Sequence, residues 1–305
     1  LCHVLLVRVA STAVVTKLMG GSKRQVIDAL SQAWLDGSSL RTYRHAPNAG
    51  PRKSWAAGDA TSRAVRLADL TLKGEIGYPS VLTTPTWGFY DVAFGGKNFE
   101  LSQDYGSYVM ENILFKISFP AEFHSQTAAE AAVKLHPIVK DRLSNIKSIK
   151  IKTHESAIRI ISKVGPLNNP ADRDHCLQYM IAVPLAFGNL IADHYEDDFH
   201  RNNPVIDALR EKMVVEEEPR YSTEYLEPDK RSIANSLQVI FEDGTATEEI
   251  EINYPVGHRR RRKEGIPLLE EKFMTNLLTV FEKDRCKEIF ELCKDQETLE
   301  STREN

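Results

Sequence analysis

Cysteine is scarce in this chain, with four in 305 residues: Cys2, Cys176, Cys286 and Cys293. They form no C-x-x-C pair and join no Cys/His cluster at metal spacing, so neither a zinc knuckle nor an iron–sulfur cluster is supported. Reduced core thiols are the expectation, and with them a reducing, intracellular compartment. An excess of one charge is missing as well. The formal net charge is -4, whereas nucleic-acid proteins carry a basic stripe that tilts the whole domain, so cations here act locally. No apolar run approaches the roughly 20 residues of a membrane helix, and the opening LCHVLLVRV is interrupted by His3 and Arg8. There is no initiator Met, no readable signal or transit peptide, no internal repeat and no low-complexity segment. The start at Leu1 reads as the C-terminal part of a longer protein.

What is present is the profile of a globular chain, 42% hydrophobic and 27% charged, with one large or two medium domains. Apolar and small residues from Val4 to Leu18 predict a helix stopped by Gly20-Gly21. A second helix is expected over Gln25 to Leu35. Arg41 to Pro51 is a polar loop, followed by a helix whose Ala57, Ala60, Ala64 and Leu67 imply close packing. Residues 79–105 read as an irregular connection. The character then changes: a helix from Thr127 to Arg142, a strand at Ile149 to Lys152, and a hairpin of Leu237–Phe241 and Ile250–Tyr254 around Asp243-Gly244. Between them Asn169-Pro170 supplies a cap and a first-turn proline for a helix running through Gln178 to Ile181. The amphipathic pattern from Pro267 to Cys293 is too apolar on one face to stand alone. The organisation expected is α+β: an all-helical domain over 1–110, an α+β lid over 111–262, and helices over 263–305 returning to the helical domain.

Three places carry candidate chemistry. Arg44, His45, Arg52 and Lys53 lie in a cationic loop before a helix N-terminus, which suits a polycarboxylate; a solvated basic loop is the alternative. Lys116, Glu122 and His124 lie among Phe115, Ile117, Phe119 and Phe123, a setting that can perturb a lysine; a snorkelling lysine is the alternative. His175 and Tyr179, four apart, would share a helix face; a satisfied core histidine is the alternative. His3 has nothing local to distinguish it. Arg259 to Lys263 reads as a solvated turn or an internal salt-bridge hub, and Glu216 to Glu218 as a solvated face.

Several long blocks resemble the 2-methylcitrate dehydratase (MmgE/PrpD) family: RTYRHAPNAGPRKSWAAGDATSRAV at Arg41 to Val65, WGFYDVAF at Trp87 to Phe94, and YGSYVMENILFKISFPAEFHSQTAAEAA at Tyr105 to Ala132. So do GPLNNPADRDHCLQYM at Gly165 to Met180 and YPVGHRRRRKEGIP at Tyr254 to Pro267. The resemblance implies a discontinuous helical domain plus a lid, with the active site between them. By motif position it implies that Lys53 is a site lysine, that Tyr179 is the site tyrosine with His175 beside it, that Lys116 and His124 belong to the lid-entry motif, and that His3 falls near a site histidine. An extra residue between Lys116 and Phe119-Pro120 departs from the family pattern. An Asp- and His-bearing helical portion of the family's site has no counterpart here, and the short apolar tail expected from the family is missing after Asn305.

The activity implied is dehydration of 2-methylcitrate to 2-methyl-cis-aconitate in propionate catabolism, by acid/base chemistry without a metal or other cofactor. Abstracting a proton beside a carboxylate builds up negative charge that the site must neutralise. Lys53, Lys116, Arg44 and Arg52 are the carboxylate partners on offer, and His175, Tyr179 and His124 the proton-transfer groups. The partner is then a small tricarboxylate, with no nucleic acid and no membrane. A homodimer is the family's expectation, in the mitochondrial matrix if the chain is fungal or in the cytoplasm if it is bacterial. Decarboxylation of cis-aconitate is the alternative within the fold. A catalytically incomplete fragment, with exposed apolar faces on its first domain, is the alternative outside it.

Overall fold

The structure, a computed structural model, describes residues 2–35, 40–44, 49–100 and 106–302. By their contacts the residues form two compact units, Leu1–Asp104 and Tyr105–Asn305.

Unit 1 is helical. Helix α1 spans Val4–Leu18, α2 Lys23–Leu35 and α3 Arg52–Leu72. The small side chains do what their spacing predicts: Ala56, Ala60, Ala64 and Ala68 are buried on one face of α3, which lets α1 and α3 approach closely. The turn after α1 is set by Gly20 at φ +87. Arg8 is buried and donates through Nε to the Ala33 carbonyl of α2 at 3.2 Å. Trp34, Phe89, Tyr90, Phe94 and Phe99 make an aromatic cluster, with the Trp34 and Phe89 rings 4.7 Å apart. Large apolar side chains nevertheless stay exposed within this unit, among them Leu6, Val14 and Leu18 of α1 and Val65 and Leu70 of α3.

Unit 2 is built on a four-stranded sheet in the order β2-β1-β3-β4, with β1 at Ile146–Thr153, β2 at Met213–Glu217, β3 at Asn235–Phe241 and β4 at Ile250–Ile252. Strand β1 pairs parallel to β2 and antiparallel to β3. The expected hairpin is β3-β4, with Gly244 at φ +83 in its turn. Helices α4 (Gln126–Val139) and α5 (Leu177–Phe187) pack on each other. Their buried Ala128, Ala131, Ala132, Leu135, Met180, Ile181 and Leu185 join Ile146, Ile149, Ile151, Leu237 and Val239 in the main core. Burying that much apolar surface, at about 25 cal/mol per Å², is what holds unit 2 together. The chain then adds α6 (Pro219–Leu226), α7 (Arg262–Leu277) and α8 (Lys283–Lys294).

Two expectations need correction. First, the helix predicted through His175 to Ile181 is two elements, a turn of helix at Pro170–Arg173 and then α5 from Leu177, because Cys176 is extended at φ -120, ψ 109. Second, the long C-terminal helix is broken between α7 and α8 by a turn at residues 278–281, where Val280 and Phe281 bond back to the Leu277 carbonyl. By their contacts α7 and α8 group with unit 2, which begins at Tyr105; the sequence reading divided the chain at 110 and 262. Glu216 and Glu217, expected as part of a solvated face, are exposed and lie on the edge strand β2.

The arginine run is the internal hub foreseen as one of two readings. Arg261 reaches both carboxylate oxygens of Glu130 on α4, at 2.8 and 3.0 Å, the Tyr254 carbonyl at 2.7 Å and Glu264 at 2.6 Å. Burial works against its charge, but the bonds to Glu130 and Glu264 outweigh it and hold the guanidinium above its ordinary pKa. Cys2, Cys176 and Cys286 are free and buried, and Cys293 is free and exposed.

Candidate active site

One cluster of titratable groups in unit 2 forms where the segment entering α4 meets the end of β1. Glu122 caps a short helical turn at Phe123–Ser125, its Oε2 accepting the His124 backbone N–H at 2.7 Å. The His124 carbonyl takes a hydrogen bond from Asn235 Nδ2 of β3 at 2.9 Å, and the same amide donates to Thr127 Oγ1 at 2.7 Å. His124 is thus fixed from both sides by its backbone, and its side chain is 7% exposed. Its Nδ1 lies 2.8 Å from Nε2 of His154.

His154 is fully buried and ends β1 as the extended cap of the helix Glu155–Ile161. Burial, then the neighbouring His124, press its pKa from 6.5 down to about 4, against a backbone bond to Ala234. Its other ring nitrogen, Nδ1, lies 3.5 Å from the Thr153 hydroxyl. Tyr225 of α6 stacks on His154 with ring centroids 4.8 Å apart and meets His124 at 5.4 Å. The second ring nitrogen of His124, Nε2, is 4.0 Å from Glu122 Oε1.

A cavity of about 390 Å³ reaches this cluster at Tyr225 and is also lined by Asn112, Phe123, Arg231 and His258. Arg231 is exposed and sits at φ 46, a backbone region that L residues adopt at a cost and that recurs at binding sites. His258 is pressed to about 4 by burial and by Arg259 and Arg260; its Nδ1 accepts the Arg260 amide at 3.2 Å, capping the turn before α7.

The other expected residues are placed as follows. Lys116 is exposed, in the extended segment that Phe115 anchors on the Gly257 carbonyl at 3.2 Å; its carbonyl accepts Lys272 Nζ at 2.5 Å. His175 precedes α5, half-buried, with Nδ1 at 3.1 Å from the Asp174 carbonyl, and so does not share a helix face with Tyr179. Tyr179 is a core residue, 0% exposed, its hydroxyl donating to the His194 carbonyl at 2.5 Å. Burial pushes that hydroxyl above the ordinary tyrosine range.

In unit 1, Arg52 opens α3 over the Trp55 ring, 4.3 Å from its centroid, and Lys53 lies in the same first turn, half-buried. Arg44 Nε is 3.4 Å from the Tyr43 hydroxyl, which contacts Cys2 Sγ at 3.2 Å. His3 is exposed, and the partial burial of its ring, then Arg44 and Arg41, hold its pKa below the ordinary value. Arg44 and Arg52 both lie over the Tyr43 ring, 5.2 and 5.7 Å from its centroid. His45 lies outside the described residues.

His154, Tyr225 and Arg231 were missed. The alternation Ile149, Ile151, Thr153 along β1 would put residue 154 on the opposite, outer face, yet a histidine ending a strand before a helix-forming stretch was the one available signal.

The family model for the MmgE/PrpD N-terminal domain matches residues 1–102, and that for the MmgE/PrpD C-terminal domain matches 119–296. The chain belongs to the MmgE/PrpD family. It is 56% identical over 301 residues to a 2-methylcitrate dehydratase of Escherichia coli K12, covering 98% of this chain and 62% of that protein. A mitochondrial 2-methylcitrate dehydratase of Yarrowia lipolytica is 59% identical over 290 residues, 94% of this chain and 56% of that protein. A probable 2-methylcitrate dehydratase of Saccharomyces cerevisiae is 60% identical over 281 residues, 90% of this chain and 54% of its own length. This MmgE/PrpD chain therefore spans between half and two thirds of the curated relatives it matches.

Proposed function

We propose that the protein to which these residues belong is a lyase that dehydrates 2-methylcitrate to 2-methyl-cis-aconitate, with His124 as a proton-transfer group. The observation that carries the reading is the identity of 56 to 60% with proteins named for that reaction. The His124 cluster supplies a chemistry consistent with it. Elimination begins with removal of a proton from carbon beside a carboxylate, and imidazole is the base whose ordinary affinity for protons best fits neutral pH. Glu122, 4.0 Å from His124 Nε2, would stabilise the imidazolium that results. Arg231 and Asn112 in the adjoining cavity offer a cation and an amide to a substrate carboxylate, and an Arg–carboxylate contact is among the strongest available to hold it.

Lys53, Lys116, Arg44 and Arg52 remain the further carboxylate partners, by resemblance and by charge, with His3 and His45 in the same group. His175 and Tyr179 stay in the candidate set on resemblance alone. The scheme uses acid and base groups throughout. A role in propionate disposal, a mitochondrial matrix location like that in the name of the Yarrowia lipolytica relative, and a homodimer belong to the same proposal.

A second reading is favoured by the exposed Leu6, Val14 and Leu18 of α1: these 305 residues alone are catalytically incomplete. An ultraviolet assay for the conjugated product, with 2-methylcitrate and chelator, decides. Full-length protein is expected to be active, and Lys53→Ala and His124→Ala in it to lose about 100-fold or more in kcat/KM. Inactivity of the full-length protein would overturn the dehydratase reading. Release of carbon dioxide from cis-aconitate would move the reading to a decarboxylase. Turnover by the 305-residue chain at the full-length rate would remove the second reading.

A further inference from the structure

We propose that Arg259, Arg260 and Arg262 form, together with Arg231, a cationic rim that draws a tricarboxylate into the cavity beside the His124 cluster. The inference rests on the reading of that cavity as the place where substrate binds, and it gives the arginine run before α7 a part in capturing it.

The first observation is what these four side chains lack. Arg231, Arg259, Arg260 and Arg262 pair with no carboxylate among the described residues, whereas every other described arginine of unit 2 does. Arg261, inside the same run, turns to Glu130 and Glu264 and leaves its neighbours uncompensated. Of the acids on the adjoining stretch, Glu224 and Glu227 are held by Lys230 at 3.2 and 3.1 Å. The exposed Asp229 offers the run its carbonyl and not its carboxylate. Glu122 is engaged at His124.

The second observation is where they lie. Arg231, His258 and Ile113 line the cavity of about 390 Å³. Arg259 and Arg260 both donate to the Asp229 carbonyl, Arg260 at 3.0 Å, which ties the run to the chain just before Arg231. Arg262 donates to the Ile113 carbonyl at 2.6 Å and lies over the Phe115 ring, 4.2 Å from its centroid. Carbonyl bonds hold a guanidinium in place without neutralising it. The field of the run reaches the cavity wall: burial first, and then Arg259, Arg260 and Arg262, lower the proton affinity of His258.

One unpaired arginine on a solvated surface is ordinary; charges grouped around one concave opening add. Apolar walls focus such a field, and Val109, Ile113, Leu114 and Phe123 supply them here. A tricarboxylate, triply negative at neutral pH, is the complement. Arg259, Arg260 and Arg262 are not among the residues that line the cavity, so they act on capture and leave the chemical step alone.

The test compares full-length wild type with a protein carrying Arg259→Gln, Arg260→Gln and Arg262→Gln, and with one carrying Lys at the same three positions. The probe is tricarballylate, a tricarboxylate with no hydroxyl to expel, titrated calorimetrically at low and at high salt. The triple Gln protein should bind it about 10-fold or more weakly at low salt. The triple Lys protein should stay within about threefold of wild type, because charge rather than the guanidinium fork is what acts. Wild-type affinity should fall as salt rises, and that of the triple Gln protein should fall less. With 2-methylcitrate, the triple Gln protein should lose kcat/KM in step with affinity, at a kcat within about twofold of wild type.

Unchanged affinity in the triple Gln protein, an equal loss in the Gln and Lys proteins, or no binding of tricarballylate by the wild type would overturn the proposal. If the triple Gln protein does not fold, the salt dependence of the wild type and the single Arg260→Gln variant decide on the same criteria. Absence of dehydration by the full-length protein would sink the dehydratase reading alone, because the titration is read without turnover.

Discussion

At the scale of single residues, the chemistry of a side chain is set less by its type than by what it faces. Lys116 and His124 are eight positions apart in one motif, yet Lys116 is exposed and His124 is held among Glu122, His154 and Tyr225. Tyr179, a proton-transfer candidate by resemblance, has its hydroxyl buried and bonded to the His194 carbonyl. Tyr179→Phe is therefore expected to lower stability by about 1–2 kcal/mol, by leaving that carbonyl unpaired; equilibrium urea unfolding would show it as a lower midpoint at constant slope.

The buried histidines give a pH signature. His154 and His258 fall from 6.5 to about 4 on folding. The unfolded chain thus binds more protons below 6.5, and stability declines as pH falls through the window from 6.5 to about 4. At the lower edge His154 contributes a loss of up to about 3 kcal/mol, and His258, less deeply enclosed, contributes less. Melting temperatures between pH 7 and pH 5 should fall for the wild type and fall less for His154→Gln. A decline as steep in that variant would show that His154 is not the group responsible.

At the scale of elements, the local rules predicted existence better than extent. Small-residue spacing located α3, alternation located β1, and Asp243-Gly244 located the β3-β4 turn. The helix through His175 failed because the backbone turns extended at Cys176, a change of direction that helical spacing in the sequence did not reveal. Gly257 illustrates a constraint that only packing imposes. It sits at φ +136, and a Cβ built there would lie 1.8 Å from the Phe115 carbonyl oxygen, in the strand-like segment that leads on to Lys116. Gly257→Ala is expected to unseat that segment, destabilising unit 2 by about 2 kcal/mol or more. Limited proteolysis should show faster cleavage near residues 113–118, and an unchanged pattern would contradict the account.

At the scale of the molecule, unit 1 leaves Leu6, Val14, Leu18, Val65 and Leu70 exposed, while unit 2 holds a core of nearly thirty buried residues. The 305-residue chain alone is expected to bind a hydrophobic dye and to unfold in two steps, unit 1 first, because an uncovered apolar face forgoes the burial that stabilises a domain. Calorimetry showing one cooperative transition without dye binding would contradict this.

The sequence by itself determined the family, the α+β class, the helical character of the first part and the neighbourhood of His124, because motif order, hydrophobic period and turn residues are local properties. Tertiary structure alone decided that His154 stands behind His124, that Tyr225 and Arg231 join them, and that Arg261 locks onto Glu130. Those partners are separated by 30 to 131 positions. Contacts of that range come from how β1, β3, α4 and α6 pack, which no periodicity in the chain encodes.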